Sequence, residues 1–166
     1  MRTLPKRSHS SLLLRSEYLF AVALLAFNDG LLKPWSPSMV TGKLSDFAGL
    51  FFAPVLLLVL LEMIPKFSNE SSFGIRRALA YGAIGFVFSL AQVTDFGAFL
   101  YKLAFSPARL IPTWRPGFAL TQDPTDLVAL IALFGSFVWS NSVLARSSAQ
   151  HKSAEHAWPV PIATPD

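Results

Sequence analysis

The sequence predicts an all-α fold, a four-helix transmembrane bundle, from three observations. Of its 166 residues 52% are hydrophobic and only 14% are charged, with a mean hydropathy of +0.46; a composition this apolar belongs to a membrane protein rather than a soluble domain. Four apolar segments recur along the chain, each bounded by proline, glycine or polar residues. The acids are sorted: the aspartates of the folded part, Asp29, Asp46, Asp95, Asp123 and Asp126, fall at one end of those segments, and Glu17, Glu62, Glu70 and Glu155 at the other end or in a tail.

Residues 1–11 read as a disordered tail. The first helix is predicted over residues 12–33, apolar from Tyr18 to Phe27, interrupted at Asn28, Asp29 and Gly30 and ended by Pro34. Arg2, Lys6 and Arg7 before an apolar core raise a signal peptide, but Ala26-Phe27-Asn28 lacks the small-residue cleavage pattern, so an uncleaved helix is expected. The second helix covers residues 46–64, enough to cross a ~30 Å hydrocarbon core at ~1.5 Å per residue. Its Pro54 frees a carbonyl and can kink the helix, which membrane helices tolerate when a neighbour or water satisfies the freed group. The third covers residues 76–93 with an extension to 105; unbroken it is ~45 Å long, so a break is expected near residues 94–97. Ala78, Gly82, Gly85, Ser89 and Gln92 share one face of it, a small-residue stripe expected to face the bundle interior. The fourth covers residues 124–144, with Asp123 as cap, Pro124 at the first helical position and Asp126 at the third, a capping-box-like start. Residues 12–145 thus form one four-helix domain, and residues 146–166, rich in Ser, Ala, His and Pro, read as a second disordered tail.

Four spans put both termini on one side. Nine Lys and Arg residues fall on that side and five on the other, so the positive-inside bias predicts a multi-pass protein of the cell (inner) membrane, both termini cytoplasmic and the aspartate end outside. Tyr18 and Trp139 near the inner boundary, and Trp35 and Tyr101 near the outer, are expected to be interfacial anchors. The net charge of +4 comes from basic residues beside apolar runs, a topology signal rather than a nucleic-acid footprint. No nucleic-acid partner is expected. The lipid bilayer is the expected partner, and the small-residue stripe also suits a homo-oligomer or a second membrane protein.

Cysteine is absent, and His9, His151 and His156 all lie in the tails. This removes thiolate chemistry, the usual general base and the commonest transition-metal ligand from the membrane region; no catalytic residue, metal or cofactor is expected. The densest polar run is Thr41-Gly42-Lys43-Leu44-Ser45-Asp46, where Gly42 turns the chain, Ser45 or Asp46 caps the second helix, and free amides beside Lys43 suit an anion. It is not a P-loop, because Pro37 stands where the first glycine belongs and Leu44 replaces the required Ser or Thr. Asp29 precedes Lys33 by four residues, the favourable order for a helical ion pair, so Lys33 or Lys43 is its expected partner. Asp46, Asp123 and Asp126 converge if the second and fourth helix starts are adjacent. Their oxygens would suit calcium, magnesium or manganese, but neighbouring lysines compete for them. Between residues 106 and 122, Arg109, Trp114 and Arg115 suit headgroup anchoring. Asp29 and Asp95, at the late ends of the first and third helices, oppose the helix dipole and form the core of the site hypothesis. The candidate ligand-binding set is Asp29, Lys33, Lys43, Asp46, Asp95, Asp123 and Asp126, for an ion, small solute or lipid headgroup. The alternative is a structural or assembly subunit in which these residues are caps and ion pairs; an intramembrane enzyme, which would need an acid-base pair such as Asp46 with Lys43 or Asp126, is the weakest reading because no histidine or cysteine is available there.

Thr41 to Leu50 and Asp123 to Leu127 resemble the TGKLSD-AGL and DPTDL segments of a family of small bacterial integral membrane proteins. The resemblance covers about fifteen residues and includes the order of the two motifs. It implies a bacterial membrane location and no particular activity.

Overall fold

The computed structural model describes residues 9–105 and 122–156. Every regular element among them is helical. A 3₁₀ segment, His9–Leu14, leads into α1 (Ser16–Phe27), which continues through a π-helical turn, Asn28–Leu32, into the short α2 (Lys33–Trp35). Then come α3 (Met39–Met63), α4 (Phe73–Val93), α5 (Asp95–Phe105) and α6 (Leu130–His156), the last led in by a 3₁₀ segment, Pro124–Ala129. Helix α3 is central: α1, α4 and α6 pack around it, and α5 folds back on α4.

Three helical stretches, Met39–Met63, Phe73–Val93 and Pro124–Gln150, are long and apolar enough to cross a membrane. Their flanks leave Leu60, Phe86, Val87, Ile131 and Phe134 exposed. In water such a surface drives association, whereas in hydrocarbon it is at home, so the helices are compatible with a membrane protein. Helix α1 has twelve residues, about 18 Å, too short to cross as a regular α-helix. Inside, Tyr18 packs with Leu12 and Val55 and meets Phe52 edge-on at 6.3 Å, and Trp139 lies 5.4 Å from Phe51. Core packing thus claims two of the aromatics expected as interfacial anchors; Trp35 is exposed.

Helix α3 starts seven residues earlier than residue 46, because Ser38 and Thr41 cap each other. The Thr41 N–H donates to Ser38 Oγ at 3.2 Å and the Ser38 N–H to Thr41 Oγ1 at 3.0 Å. Gly42 therefore lies inside the helix rather than at a turn, and neither Ser45 nor Asp46 is a cap. Pro54 lacks the N–H that would serve the Leu50 carbonyl, and at the next carbonyl, Phe51, Ser136 Oγ of α6 donates at 2.7 Å. The helix stays continuous.

The break after α4 is a single extended residue, Thr94 (φ −137°, ψ 142°). Its N–H closes α4 by donating to the Leu90 carbonyl at 3.0 Å, and its hydroxyl opens α5 by accepting from the Gly97 N–H at 2.9 Å. Asp95 consequently stands in the first turn of α5, where the dipole favours an acid, and not at the late end of a longer helix. The small-residue stripe is split: Gly85 and Gln92 face inward, but Ala78 and Gly82 are exposed because Arg77 and Tyr81 take the interior positions of that half. Helix α6 runs on to His156 through the predicted tail, and Ser142, Ser147 and Ser148 each turn a hydroxyl back onto the carbonyl four residues earlier. Serine satisfied in this way does not end a helix. Arg109, Trp114 and Arg115, and the outer parts of both tails, lie outside the described residues.

Candidate functional site

The candidate residues fall into two polar groups on either side of the first turns of α3. The first is built on the π turn. Gly30 and Pro34 weaken the α register there, one by its backbone freedom and the other by its missing N–H. The turn widens so that the Lys33 N–H bonds to the Asn28 carbonyl five residues back. The helical path continues past Pro34 to Trp35, where sequence reading ended it. Asn28 points at α3 and is fully buried. Its Nδ2 donates to the Thr41 carbonyl at 2.7 Å and to Ser45 Oγ at 2.6 Å, and Ser45 Oγ donates to Asp29 Oδ1 at 2.5 Å. The same carboxylate oxygen is 2.9 Å from Lys33 Nζ, the pairing that the four-residue spacing predicts. Donors are thus chained toward one carboxylate, each polarising the next. Within this group, Asn28 Oδ1 is sealed in without a hydrogen-bond partner among the described residues.

The second group joins α3 to the start of α6. Lys43 Nζ lies 2.5 Å from Asp126 Oδ1, donates to Thr125 Oγ1 at 2.8 Å, and is 3.9 Å from Asp123 Oδ2. Asp123 caps the helix start by accepting from the Thr125 N–H at 2.8 Å. Hydrogen bonding from Thr125, through its side chain first and its backbone second, holds the Asp123 carboxyl below the ordinary carboxylate value. The capping box predicted from Asp126 does not form. Asp126 turns to Lys43 instead, and the Asp123 N–H donates to Gln92 Oε1 of α4 at 3.2 Å. Three helices are tied at this point.

Asp46 sits between the groups, within electrostatic reach of Asp126, Lys33, Lys43 and Asp29. It makes no hydrogen bond or ion pair among the described residues. Asp95 is exposed at the start of α5, likewise without a hydrogen bond or ion pair among the described residues, so the structure does not bring it to either group. The α3 and α6 starts do touch, through Lys43 rather than through Asp46. Sequence reading missed Asn28, Thr41, Ser45, Gln92 and Thr125 as members of the set. Thr41 and Ser45 lie four residues apart, on one helical face, and Asn28 is a polar residue closing an apolar run; both signals were present.

Fold and site together describe a helical protein with three helices able to cross a membrane and a polar, mixed-charge cluster around the start of the central one. Comparison with protein-family models, with characterised proteins and with solved structures finds no match.

Proposed function

We propose that the chain is a four-helix integral membrane protein of the bacterial cell membrane, residues 16–35 supplying the fourth span and both termini cytoplasmic. The aspartate-bearing end binds a small cation, either an ion or the amine of a solute or lipid headgroup. Residues 16–35 follow one helical path about 30 Å long, the thickness of a hydrocarbon core. Asn28 carries the binding reading. A buried carbonyl oxygen without a donor costs about 1–3 kcal/mol, π turns concentrate at functional positions, and a cation beside Asn28 Oδ1 supplies the partner it lacks. Charge agrees: among the described residues, Asp29, Asp46, Asp123 and Asp126 face Lys33 and Lys43, an excess of two negative charges. A structural or assembly role is favoured by one specific observation, the three-way engagement of Lys43 with Thr125, Asp126 and Asp123.

Thermal unfolding in detergent separates the two readings. The protein and its Asp46→Asn variant are titrated with alkali-metal salts and a primary ammonium salt at constant ionic strength. We expect a cation-dependent rise in Tm for the parent and its loss in Asp46→Asn, with similar starting stabilities. No cation-dependent rise in the parent, or the same rise in both proteins, leaves the structural role.

A further inference from the structure

Around the π turn, three oxygens of different kinds crowd one amide. Ser45 Oγ lies 3.3 Å from the Thr41 carbonyl oxygen and 2.5 Å from Asp29 Oδ1. Asn28 Nδ2 is set among them, 2.7 Å from the Thr41 carbonyl oxygen, 2.6 Å from Ser45 Oγ and 3.4 Å from Asp29 Oδ1. An amide nitrogen carries two hydrogens, so three acceptors share two donors, and the longest contact falls to the charged one.

The other half of the same amide is worse served. The Thr41 carbonyl can only accept, which turns the nitrogen toward it and Oδ1 away. Oδ1 is then buried with no hydrogen-bond partner among the described residues, in a side chain 0% exposed. Leaving a buried carbonyl unserved is costly, and the cost is relieved only if the amide finds a second arrangement.

The last side-chain torsion of asparagine has two broad wells half a turn apart. In the second, Oδ1 takes the place of Nδ2, and it converges with the Thr41 carbonyl, Ser45 Oγ and Asp29 Oδ1. Four oxygens that close repel one another unless a cation lies between them. We propose that Asn28 is a swinging ligand, its amide turning over to complete a site for a small monovalent inorganic cation of the sodium type. The proposal rests on the cation reading above and narrows it to a bare ion, removing the amine. A donor set made wholly of oxygen suits a hard cation. A single carboxylate, already 2.9 Å from Lys33 Nζ, is too little charge for calcium or magnesium, and magnesium keeps several waters for which this buried position has no room. Oxygens 2.5 to 3.3 Å apart close around an ion smaller than a water molecule, whereas potassium and an ammonium group match or exceed water in size. Lys33 is 38% exposed and can release the carboxylate to the ion by swinging its ammonium outward. Asp46, within electrostatic reach of Asp29, strengthens the negative field without being a ligand.

The test unfolds the full-length protein thermally in a neutral detergent above neutral pH, in lithium, sodium, potassium or methylammonium chloride, with choline chloride holding the ionic strength. Sodium or lithium should raise Tm at a concentration roughly 10-fold lower than potassium or methylammonium. Asn28→Asp offers an oxygen in either orientation and no N–H for Thr41. It should lower Tm in choline chloride and regain most of the loss in sodium chloride but not in potassium chloride, a recovery that a purely structural Asn28 would not give. Ser45→Ala removes one ligand and should weaken the sodium effect about 10-fold; it also serves if Asn28→Asp does not fold. Potassium or methylammonium as effective as sodium, with the response lost in Asp46→Asn, overturns the sodium site and leaves the wider cation reading standing. No response to any cation overturns both. A loss in Asn28→Asp that sodium does not recover, or a sodium response in Ser45→Ala equal to that of the parent, overturns the swinging ligand.

Discussion

Lys43 holds the two helix starts together, and its surroundings explain why its neighbour Asp46 is left over. The ammonium donates to Thr125 and Asp126 of the α6 start and has Asp123 as a second carboxylate 3.9 Å away. Removing Lys43 leaves Asp126, a largely covered carboxylate, without its counter-charge. Lys43→Met should destabilise the protein by about 1–3 kcal/mol, and Asp126→Asn should add little once Lys43 is gone. A double-mutant cycle in detergent measures this; a coupling indistinguishable from zero would mean that the pair does not fasten the helices. The Asp29 pair with Lys33 is local and was legible from spacing. The Lys43 pair joins residues 83 positions apart, and no pattern in the sequence chooses Asp126 over Asp29 as the partner of Lys43.

At the scale of elements, the junction of α4 and α5 depends on one glycine. A Cβ built on Gly97 collides with the Leu90 carbonyl and the Ala91 nitrogen, because α5 turns back against the last turn of α4 at this point. Gly97→Ala must push the two helices apart, at a cost of about 1–3 kcal/mol. Hydrogen exchange should rise along α5 in this variant and stay unchanged in α3. Protection of α5 equal to that of the parent would show that the turn accommodates the methyl group. Sequence reading placed the break from length alone, but length says nothing about the path after it. Asp95 changed meaning for that reason: an acid at the end of one helix opposes the dipole, and the same acid at the start of the next is stabilised by it.

For the whole molecule, the membrane reading makes one decisive demand, that the segment between α5 and α6 lie on the opposite side from both termini. A reporter enzyme active only outside the cytoplasm, fused between Phe105 and Gln122, should be active, and the same reporter at the C-terminus should be silent. The reverse pattern would invert the orientation and put the aspartate end inside. An active reporter at both positions would mean that α6 does not cross and would overturn the four-span reading.

Composition and apolar run length predicted a helical chain with four spans, and three of them stand as helices long and apolar enough to cross a membrane, because hydrocarbon thickness and helical rise set those lengths without reference to any partner. Local chemistry was also readable: the Asp29 pair with Lys33, the Asp123 cap and the break near Thr94 each depend on residues a few positions apart. Which polar residues meet across the bundle was not readable. Rotation of α4 sends Arg77 and Tyr81 inward in place of Ala78 and Gly82, the π turn aims Asn28 at Thr41 and Ser45, and the crossing of α3 with α6 delivers Lys43 to Asp126. Helical periodicity defines the faces of a helix, but their orientation follows from all the packing contacts at once, and those exist only when the helices are assembled.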